Sequence, residues 1–527
     1  MPNLSDHDLK QMDPTWQQCQ PETTVRGLLA RALDDLRQAR DRLNQNPTNS
    51  SRPSGSMEPW RRAGAAEPEA ADDAAPVEPL PPEAPDGEPG ARAPSPPKAD
   101  AESAAPRRPG KPPGAPGFGR TQKLALTDTE HHHPVHCAAC GEPLDAAALC
   151  SAWTGWDCVE LAGLPPALGL QFQVTRHLLM EQRCACGHLS RARAHRAQDD
   201  QAWQGVDIGQ QRLLGPRLAA IVVFLCLRMR LSRQRVQELM QVLFGLKLSV
   251  GLIDQTVQQA ARAVAPLEES IVEDIERAAL AHADETGWRE AGRALWLWVI
   301  VVPYTALFLI GERTAEMFDN ALGAAFAGVL MSDGYCVYRA RLNRLRCWAH
   351  LLRKLRGLAQ SSDRRVAAVG SEMLEHFERL KKSVYDARSA DPPGALPAVA
   401  MASVVAALRQ LCERHRDDRH DRLREVAREF LLDWDVIMRP LAEPQLPLTN
   451  NEAERALRQY VIARLISHGT RTPTSSRGYA LLASVIETCR LRAANVIDLL
   501  AQAIDAARRG LPAPPLPAIP AVNRTGC

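Results

Sequence analysis

Asp284 and Asp333 each close an apolar stretch, Ala279-Leu-Ala-His-Ala before the first and Gly328-Val-Leu-Met-Ser before the second. Such stretches read as strands. A carboxylate at each strand end can converge with its neighbour at a sheet edge and offer oxygen to a hard divalent cation. Strand-end aspartates also commonly form turns, so the pair alone leaves both readings open. A third carboxylate comes from Leu448-Thr-Asn-Asn-Glu-Ala-Glu-Arg-Ala-Leu-Arg458, the start of a helix continuing through Tyr460, Val461 and Leu465. Thr449 and Glu452 have the spacing of a capping box. That spacing assigns Glu452 to the helix terminus and leaves Glu454, beside Arg455 and Arg458, to point back towards the aspartates. Asn450 and Asn451 can orient that carboxylate, touch a phosphate, or simply form the turn. Three carboxylates held together raise one another's pKa and persist most naturally as a cation site. Glu285 reads as a solvated neighbour rather than a fourth ligand.

A second chemistry is carried by Cys137-Ala-Ala-Cys140-Gly and Cys184-Ala-Cys186-Gly-His188. Two turn-borne cysteine pairs suit one tetrahedral Zn²⁺, and a glycine after each pair lets backbone N–H groups approach the thiolates. The expected ligands are Cys137, Cys140, Cys184 and Cys186. The second pair is one residue shorter than the usual spacing, and His188 can replace either member. His131 to His133 and His136 read as solvated loop residues.

The elements that must position these groups follow from periodicity. Arg293 to Val302 and Ala306 to Ile310 are apolar, β-branched and aromatic, and Pro303-Tyr-Thr305 breaks the run, which predicts two strands and a turn rather than a membrane span. Thr314 to Leu322 reads as a helix. The long interval between Asp333 and Glu454 implies an insertion: Val366, Val369, Met373, Phe377, Leu380 and Val384 recur at helical spacing, as do Val404, Leu408 and Leu411. The leading edge of that insertion carries Arg339, Arg341, Arg344, Arg346, Arg353, Lys354 and Arg356 around His350. A basic stripe next to a cation site is expected to hold phosphate. His350 either approaches that phosphate or is structural.

Upstream, Leu213, Leu214, Leu218, Ile221, Val222 and Leu225 share a helical face, Leu231-Ser232 starts a second helix ended by Gly245, and Ser249 caps a third. This spacing is compatible with a helix-turn-helix. Near the N-terminus, Leu29, Leu36 and Leu43 fall at seven-residue intervals with Leu33 on the same face, a short amphipathic helix suited either to dimerisation or to docking on its own chain. Pro47 to Gly119 is dense in proline, alanine and acidic residues and reads as a disordered linker.

At 527 residues the chain is too long for one small module. With 64 basic and 62 acidic side chains, the net charge of +2 neither requires nor forbids nucleic acid. The 13 cysteines are odd in number and scattered, which argues against a secreted disulfide framework and for a reducing cytoplasm.

Taken in order, Ala283-Asp-Glu-Thr-Gly-Trp-Arg289, Asp333-Gly-Tyr335, Cys347-Trp-Ala-His350 and Asn450-Asn-Glu-Ala-Glu-Arg-Ala-Leu-Arg458 resemble the transposases of insertion sequence 66. The resemblance extends to Leu43-Asn-Gln-Asn-Pro-Thr-Asn-Ser-Ser-Arg-Pro53, the Gly110-Lys-Pro-Pro-Gly stretch, the cysteine pairs and Ile486-Glu-Thr488, and so spans nearly the whole chain. It implies a multidomain α+β protein with a ribonuclease-H-like mixed-sheet core, and an Asp, Asp, Glu triad of Asp284, Asp333 and Glu454. Thr449 stands where that family usually has Asp, and Arg464-Leu-Ile-Ser-His468 stands where it often has Arg-Lys-Asn.

The resulting expectation is an N-terminal helix over residues 1–46, a linker over 47–120 and a zinc module over 121–200. A helical DNA-binding domain over 201–272 follows. The catalytic core over 273–350 and 441–512 is interrupted by the helical insertion 351–440, and a tail occupies 513–527. The expected activity is DNA transposition. Two Mg²⁺ (or Mn²⁺) ions serve cleavage at the element ends and 3′-hydroxyl strand transfer. The expected DNA contacts are Arg344, Arg346, His350, Arg353, Lys354, Arg455 and Arg458. Partners are terminal-repeat and target DNA, further copies of the chain and accessory transposition proteins, in a bacterial cytoplasm or on the nucleoid and without a membrane. The alternatives are a catalytically inactive zinc-containing DNA-binding protein and a nuclease that hydrolyses without joining.

Overall fold

The computed structural model describes residues 21–43, 45, 49, 122–145, 148–161, 171–195, 206–207, 212–390 and 396–520. Met1–Met57 and Ala125–Cys527 form one compact unit and Glu58–Leu124 a second; every element below belongs to the first. Apart from Asn49, the expected linker over 47–120 lies outside the described residues.

The fold is mixed α+β. Its central sheet begins with three antiparallel strands, β5 (Leu280–Glu290), β6 (Arg293–Val302) and β7 (Thr305–Gly311), followed by helix α6 (Ala315–Leu322) and two short strands, β8 (Val329–Ser332) and β9 (Arg344–Arg346). The spatial order is β9-β8-β5-β6-β7. β8 runs parallel to β5, and β9 runs parallel to β8. β6 is apolar along most of its length because both faces are covered: Leu297, Val299 and Val301 pack on one side, while Trp298 meets Phe318 and Tyr338 on the other. The apolar run through Ile310 is therefore two sheet strands, and among the described residues no helix is long and apolar enough to cross a membrane.

Two helices at the end of the chain complete this layer. Helix α12 (Asn451–Ser467) lies across β5 and β6, burying Ala453, Ala456, Leu457 and Tyr460 against them. Helix α13 (Pro473–Leu491) covers edge strand β7. Ser484 Oγ accepts a hydrogen bond from Phe308 N at 2.8 Å, and Thr488 Oγ1 accepts from Ala306 N at 3.1 Å. A bare edge would leave these donors unpaired and open to pairing with another strand. Thr488, part of the terminal Ile486-Glu-Thr488 stretch, thus has a structural use.

Between β9 and α12 the chain is helical: α7 (Trp348–Ala359), α8 (Arg364–Ser389), α9 (Ala402–His415), α10 (Asp421–Leu432) and α11 (Trp434–Ala442). Val366, Met373, Phe377, Leu380 and Val384 of α8 are fully buried in one apolar core with Leu408, Leu423 and Phe430. Helix α1 (Glu22–Leu43) docks on this layer through its polar side. Asp41 accepts hydrogen bonds from Ser361 Oγ and from Ser362 N at 2.9 Å, and it lies 3.6 Å from His420. Leu29, Leu33 and Leu36 stay exposed; the side chain of Leu43 lies outside the described residues.

Upstream of the sheet stand α2 (Pro216–Leu227), α3 (Arg233–Phe244), α4 (Val250–Val264) and α5 (Leu267–Glu276). Ser232 caps α3 and Ser249 caps α4, each accepting from the N–H three residues on. α4 buries Ile253, Val257, Ala260 and Val264 as it packs on α2, α13 and α14 (Val496–Arg509), so that face is core. The preceding sheet comprises β1 (Asp128–His132), β2 (Cys150–Leu161), β3 (Phe172–Arg183) and β4 (Leu189–Arg191). β3 is central; β2 pairs antiparallel along one edge, and β1 (parallel) and β4 (antiparallel) pair with its two ends on the other.

Candidate active site

Register decides which side chains meet. Met331 of β8 pairs with His282 of β5. Two residues further along both parallel strands, Asp333 stands beside Asp284, and strand alternation sends both to one face. Asp284 pairs across β6 with Val299, which lies under α12, so that face is the one α12 covers.

Helix α12 is fixed there by Asn450. It is the helix N-cap, yet its side chain makes no capping bond. Instead, fully buried, Asn450 donates from Nδ2 to the Ala283 carbonyl at 2.8 Å, and its Oδ1 lies 3.2 Å from His282 Nδ1. Its backbone N–H reaches Cys347 Sγ at 3.3 Å. Burial holds the His282 pKa below its ordinary value, so a neutral imidazole with its proton on Nδ1 is the donor to Asn450. The first turn of α12 is thereby tied to the residues preceding Asp284, and it sets Glu454 close enough for its charge to act on Asp284, with one carboxylate oxygen within 4.8 Å of Cys347 and His350 ligand atoms. The expected capping box is not formed: Glu452 is exposed and paired with Arg455 at 3.4 Å. Asn451 is exposed.

Burial, then the charges of Asp333, Glu285 and Glu454, push the Asp284 pKa well above the usual carboxylate range. Glu454 Oε1 is buried with no hydrogen-bond partner. His350 Nδ1, also buried and unpartnered, is 3.7 Å from it, too far for a hydrogen bond. Burial lowers the His350 pKa against the opposing pull of Glu454 and Asp333, leaving a neutral ring. Arg353 is 3.8 Å from Glu454 Oε2. Cys347, next to this group, is pushed up to about 11 by burial and stays a thiol. The donors suited to a hard cation are therefore the carboxylates.

Glu285 differs from expectation. Alternation turns it to the opposite face, where its side chain is only 2% exposed, accepting from the Tyr338 hydroxyl and from Arg313 Nε at 3.1 Å. It is a buried, paired group rather than a solvated one.

The expected basic stripe divides into two sets. Arg344 and Arg346 point into the protein, at 8% and 1% exposure. Arg344 donates to Asp433 Oδ1 at 2.6 Å, and Arg346 donates to Asp433 and Glu429. Lys354 adds two bonds to Glu429, at 2.8 and 2.7 Å. Burial alone would raise the Glu429 pKa, but the fields of Lys354 and Arg346 outweigh it and hold it below the ordinary value. These pairs clamp β9 to α10, and for Arg344 and Arg346 the burial corrects their assignment to a phosphate-binding face. Arg353 remains beside Glu454, and Arg455 and Arg458 are exposed on α12.

The four cysteines meet in the other sheet. Cys137 Sγ lies 3.6 Å from Cys186 Sγ, Cys140 Sγ lies 3.7 Å from Cys184 Sγ, and all four sulfurs fall within 4.8 Å of one another. Backbone N–H groups of Cys140 and Ala139, aimed at the Cys137 sulfur, bring its pKa down to about 5. Gly141 and Gly187 close the two turns at φ 75° and 88°, a region that suits glycine. His188 contributes only its carbonyl, to Cys184 N at 2.9 Å, and is not in the cluster.

Residues 211–477, just over half of the chain, match the family model described as Transposase IS66 family. The chain belongs to the IS66 transposase family. The matched span contains Asp284, Asp333 and Glu454 and ends within α13, whereas the cysteine cluster lies upstream of it. This IS66-family chain is also 25% identical over 314 residues to a protein of Sinorhizobium fredii (strain NBRC 101917 / NGR234) described as uncharacterized protein y4qI. The alignment covers 54% of this chain and 58% of that relative, less than two thirds of its length.

Proposed function

We propose that this chain is a DNA transposase that cuts at the ends of its element and joins the freed 3′-hydroxyls to target DNA, with Asp284, Asp333 and Glu454 as the catalytic carboxylates. The observation that supports the reading is the register that sets Asp284 beside Asp333, with Asp284 made protonation-prone by burial and by the charges of Asp333, Glu285 and Glu454, and with one Glu454 oxygen buried without a partner. A buried acid cluster with an unsatisfied oxygen fits divalent cations far better than it fits an empty core. Two Mg²⁺ (or Mn²⁺) ions bound there supply activation of an attacking hydroxyl or water and stabilisation of the leaving oxygen. The five-stranded mixed sheet with α12 laid on the Asp284 face supports the ribonuclease-H-like reading.

The protein's own part is positioning. Asn450 fixes the start of the helix bearing Glu454 to the strand bearing Asp284, neutral His350 stands beside Glu454, and Arg353, Arg455 and Arg458 would offer cationic contacts to the DNA backbone. Zn²⁺ fits the cysteine cluster: with sulfurs ~2.3 Å from the metal, a tetrahedron has edges of ~3.8 Å, close to the 3.6 and 3.7 Å separations. Cys137, Cys140, Cys184 and Cys186 would hold it as a structural ion.

The test is incubation of purified protein with Mg²⁺ and DNA carrying the element ends. Cut strands and strand-transfer products are expected from wild type, and Asp284→Asn should bind DNA without cutting it. Retarded DNA with no cut strands from wild type would favour the binding-only alternative. Cutting without joined products would indicate a nuclease. Wild-type cleavage by Asp284→Asn would reject the triad assignment.

A further inference from the structure

The β1–β3 ladder, on the same sheet as the cysteine cluster, places a different set of ligands together. Glu130 pairs in register with His177, and His132, two residues along β1, points to the same face. His132 Nε2 lies 3.1 Å from His177 Nδ1, Glu130 Oε2 lies 3.2 Å from His177 Nδ1, and His132 Nε2 lies 3.7 Å from Glu130 Oε2. Three lone-pair donors thus crowd one point, and His177 is 95% buried.

We propose that Glu130, His132 and His177 form a further divalent-metal site, a second one for zinc beside the cysteine cluster, of two-imidazole, one-carboxylate type, that takes a borderline ion such as Zn²⁺. With Zn–N and Zn–O distances of ~2.0–2.2 Å, a tetrahedral ion has ligand–ligand edges of ~3.4 Å. The three separations of 3.1, 3.2 and 3.7 Å bracket that value. The mixed nitrogen and oxygen set favours a transition ion over Mg²⁺ or Ca²⁺. Trp156 of β2 stacks on His177 at 4.9 Å and 19°, and lies parallel to His132 at 6.3 Å and 8°. Its indole stacks against the rings and walls one side of the site. Glu130 remains about half exposed and leaves the fourth position to water.

The ion would pin β1 to β3 just before the chain enters the Cys137 turn. His131 to His133, expected to be solvated loop residues, instead include two strand residues, and His132 is half-buried. The signal legible in the sequence was only a run of three histidines; His177 and Trp156 are supplied by the strand pairing.

The proposal is independent of the transposase reading and is tested without DNA. The full chain, loaded with Zn²⁺ and dialysed against buffer containing excess Mg²⁺, is assayed for bound zinc by elemental analysis and, after Co²⁺ substitution, by absorption. Two ions per chain are expected in wild type and one in His132→Ala, which should keep the thiolate-to-cobalt charge-transfer band and lose the d–d intensity of the second ion. Glu130→Gln, at a half-exposed position that tolerates substitution, should weaken the second ion at least tenfold while the circular dichroism spectrum stays that of wild type. A single ion in wild type, or two ions of unchanged affinity in both variants, would overturn the proposal.

Discussion

Replacing Asn450 by Ala tests how the helix bearing Glu454 is held. The side chain is fully buried and satisfies two groups of β5: the Ala283 carbonyl at 2.8 Å and His282 Nδ1 at 3.2 Å. Alanine leaves both orphaned in the core, and a buried unsatisfied polar group costs about 1–3 kcal/mol. The expected loss is therefore ~2–6 kcal/mol, a large share of a typical stability of ~5–15 kcal/mol. The same bonds fix the start of α12, and a catalytic group displaced by ~1 Å typically loses ~10²-fold in rate. Urea unfolding monitored by far-ultraviolet circular dichroism reads the first effect, and single-turnover cleavage of end-containing DNA under conditions where the variant is folded reads the second. Asn450→Asp, which keeps an acceptor for His282 but loses the donor to Ala283, should fall between wild type and Asn450→Ala in stability. A variant within ~0.5 kcal/mol of wild type that also cleaves at the wild-type rate would refute the tethering argument, because ordinary surface substitutions cost no more than that.

Other expectations follow from the same geometry. Because burial and its acidic neighbours raise the Asp284 pKa, the folded protein without metal binds a proton that the unfolded chain has released. Stability without Mg²⁺ should thus decline as pH rises above the ordinary aspartate value of ~3.9 and through the raised pKa. Asp284→Asn should flatten that decline, raise the metal-free Tm by ~2 °C or more and abolish stabilisation by Mg²⁺; thermal melts across pH with and without Mg²⁺ check all three. Asp433→Ala strands Arg344 inside the protein and removes one of the two acids paired with Arg346, and should cost about 3–5 kcal/mol in chemical denaturation. Arg455→Ala and Arg458→Ala, at exposed positions, should each reduce the slope of log affinity against log salt by about one while leaving stability unchanged, as filter binding across salt concentrations would report.

The sequence made the sheet elements legible because their signals are local. β6 and β7 are read from Arg293–Val302 and Ala306–Ile310 with a proline break, α8 from the spacing of Val366, Met373 and Phe377, and the α3 and α4 starts from Ser232 and Ser249. Asp333 stood out correctly as the polar end of an apolar run, whereas Asp284, expected at a strand end, lies mid-strand because β5 continues to Glu290 in pairing with β6. What escaped depends on distant partners. Arg344 and Arg346 looked like surface charge because Asp433 and Glu429, which draw them inward, lie more than eighty residues along the chain. β9 was missed for the same reason: three residues of which two are arginines carry no strand signature. Thr449 and Glu452 matched a capping pattern, but Asn450 gains more by crossing to β5, a choice visible only once the sheet is formed. Glu285 was misread because the opposite face of β5 has a local need for charge, created by Arg313 and Tyr338 from later elements.

The central claim is that Asp284, Asp333 and Glu454 together grip divalent cations, and anomalous diffraction from crystals soaked in Mn²⁺ addresses it most directly. The account predicts density between the three carboxylates, with metal–oxygen distances of ~2.1 Å, that disappears in Asp284→Asn. Saturating Mn²⁺ that supports DNA cleavage yet leaves no anomalous peak among these side chains would contradict it.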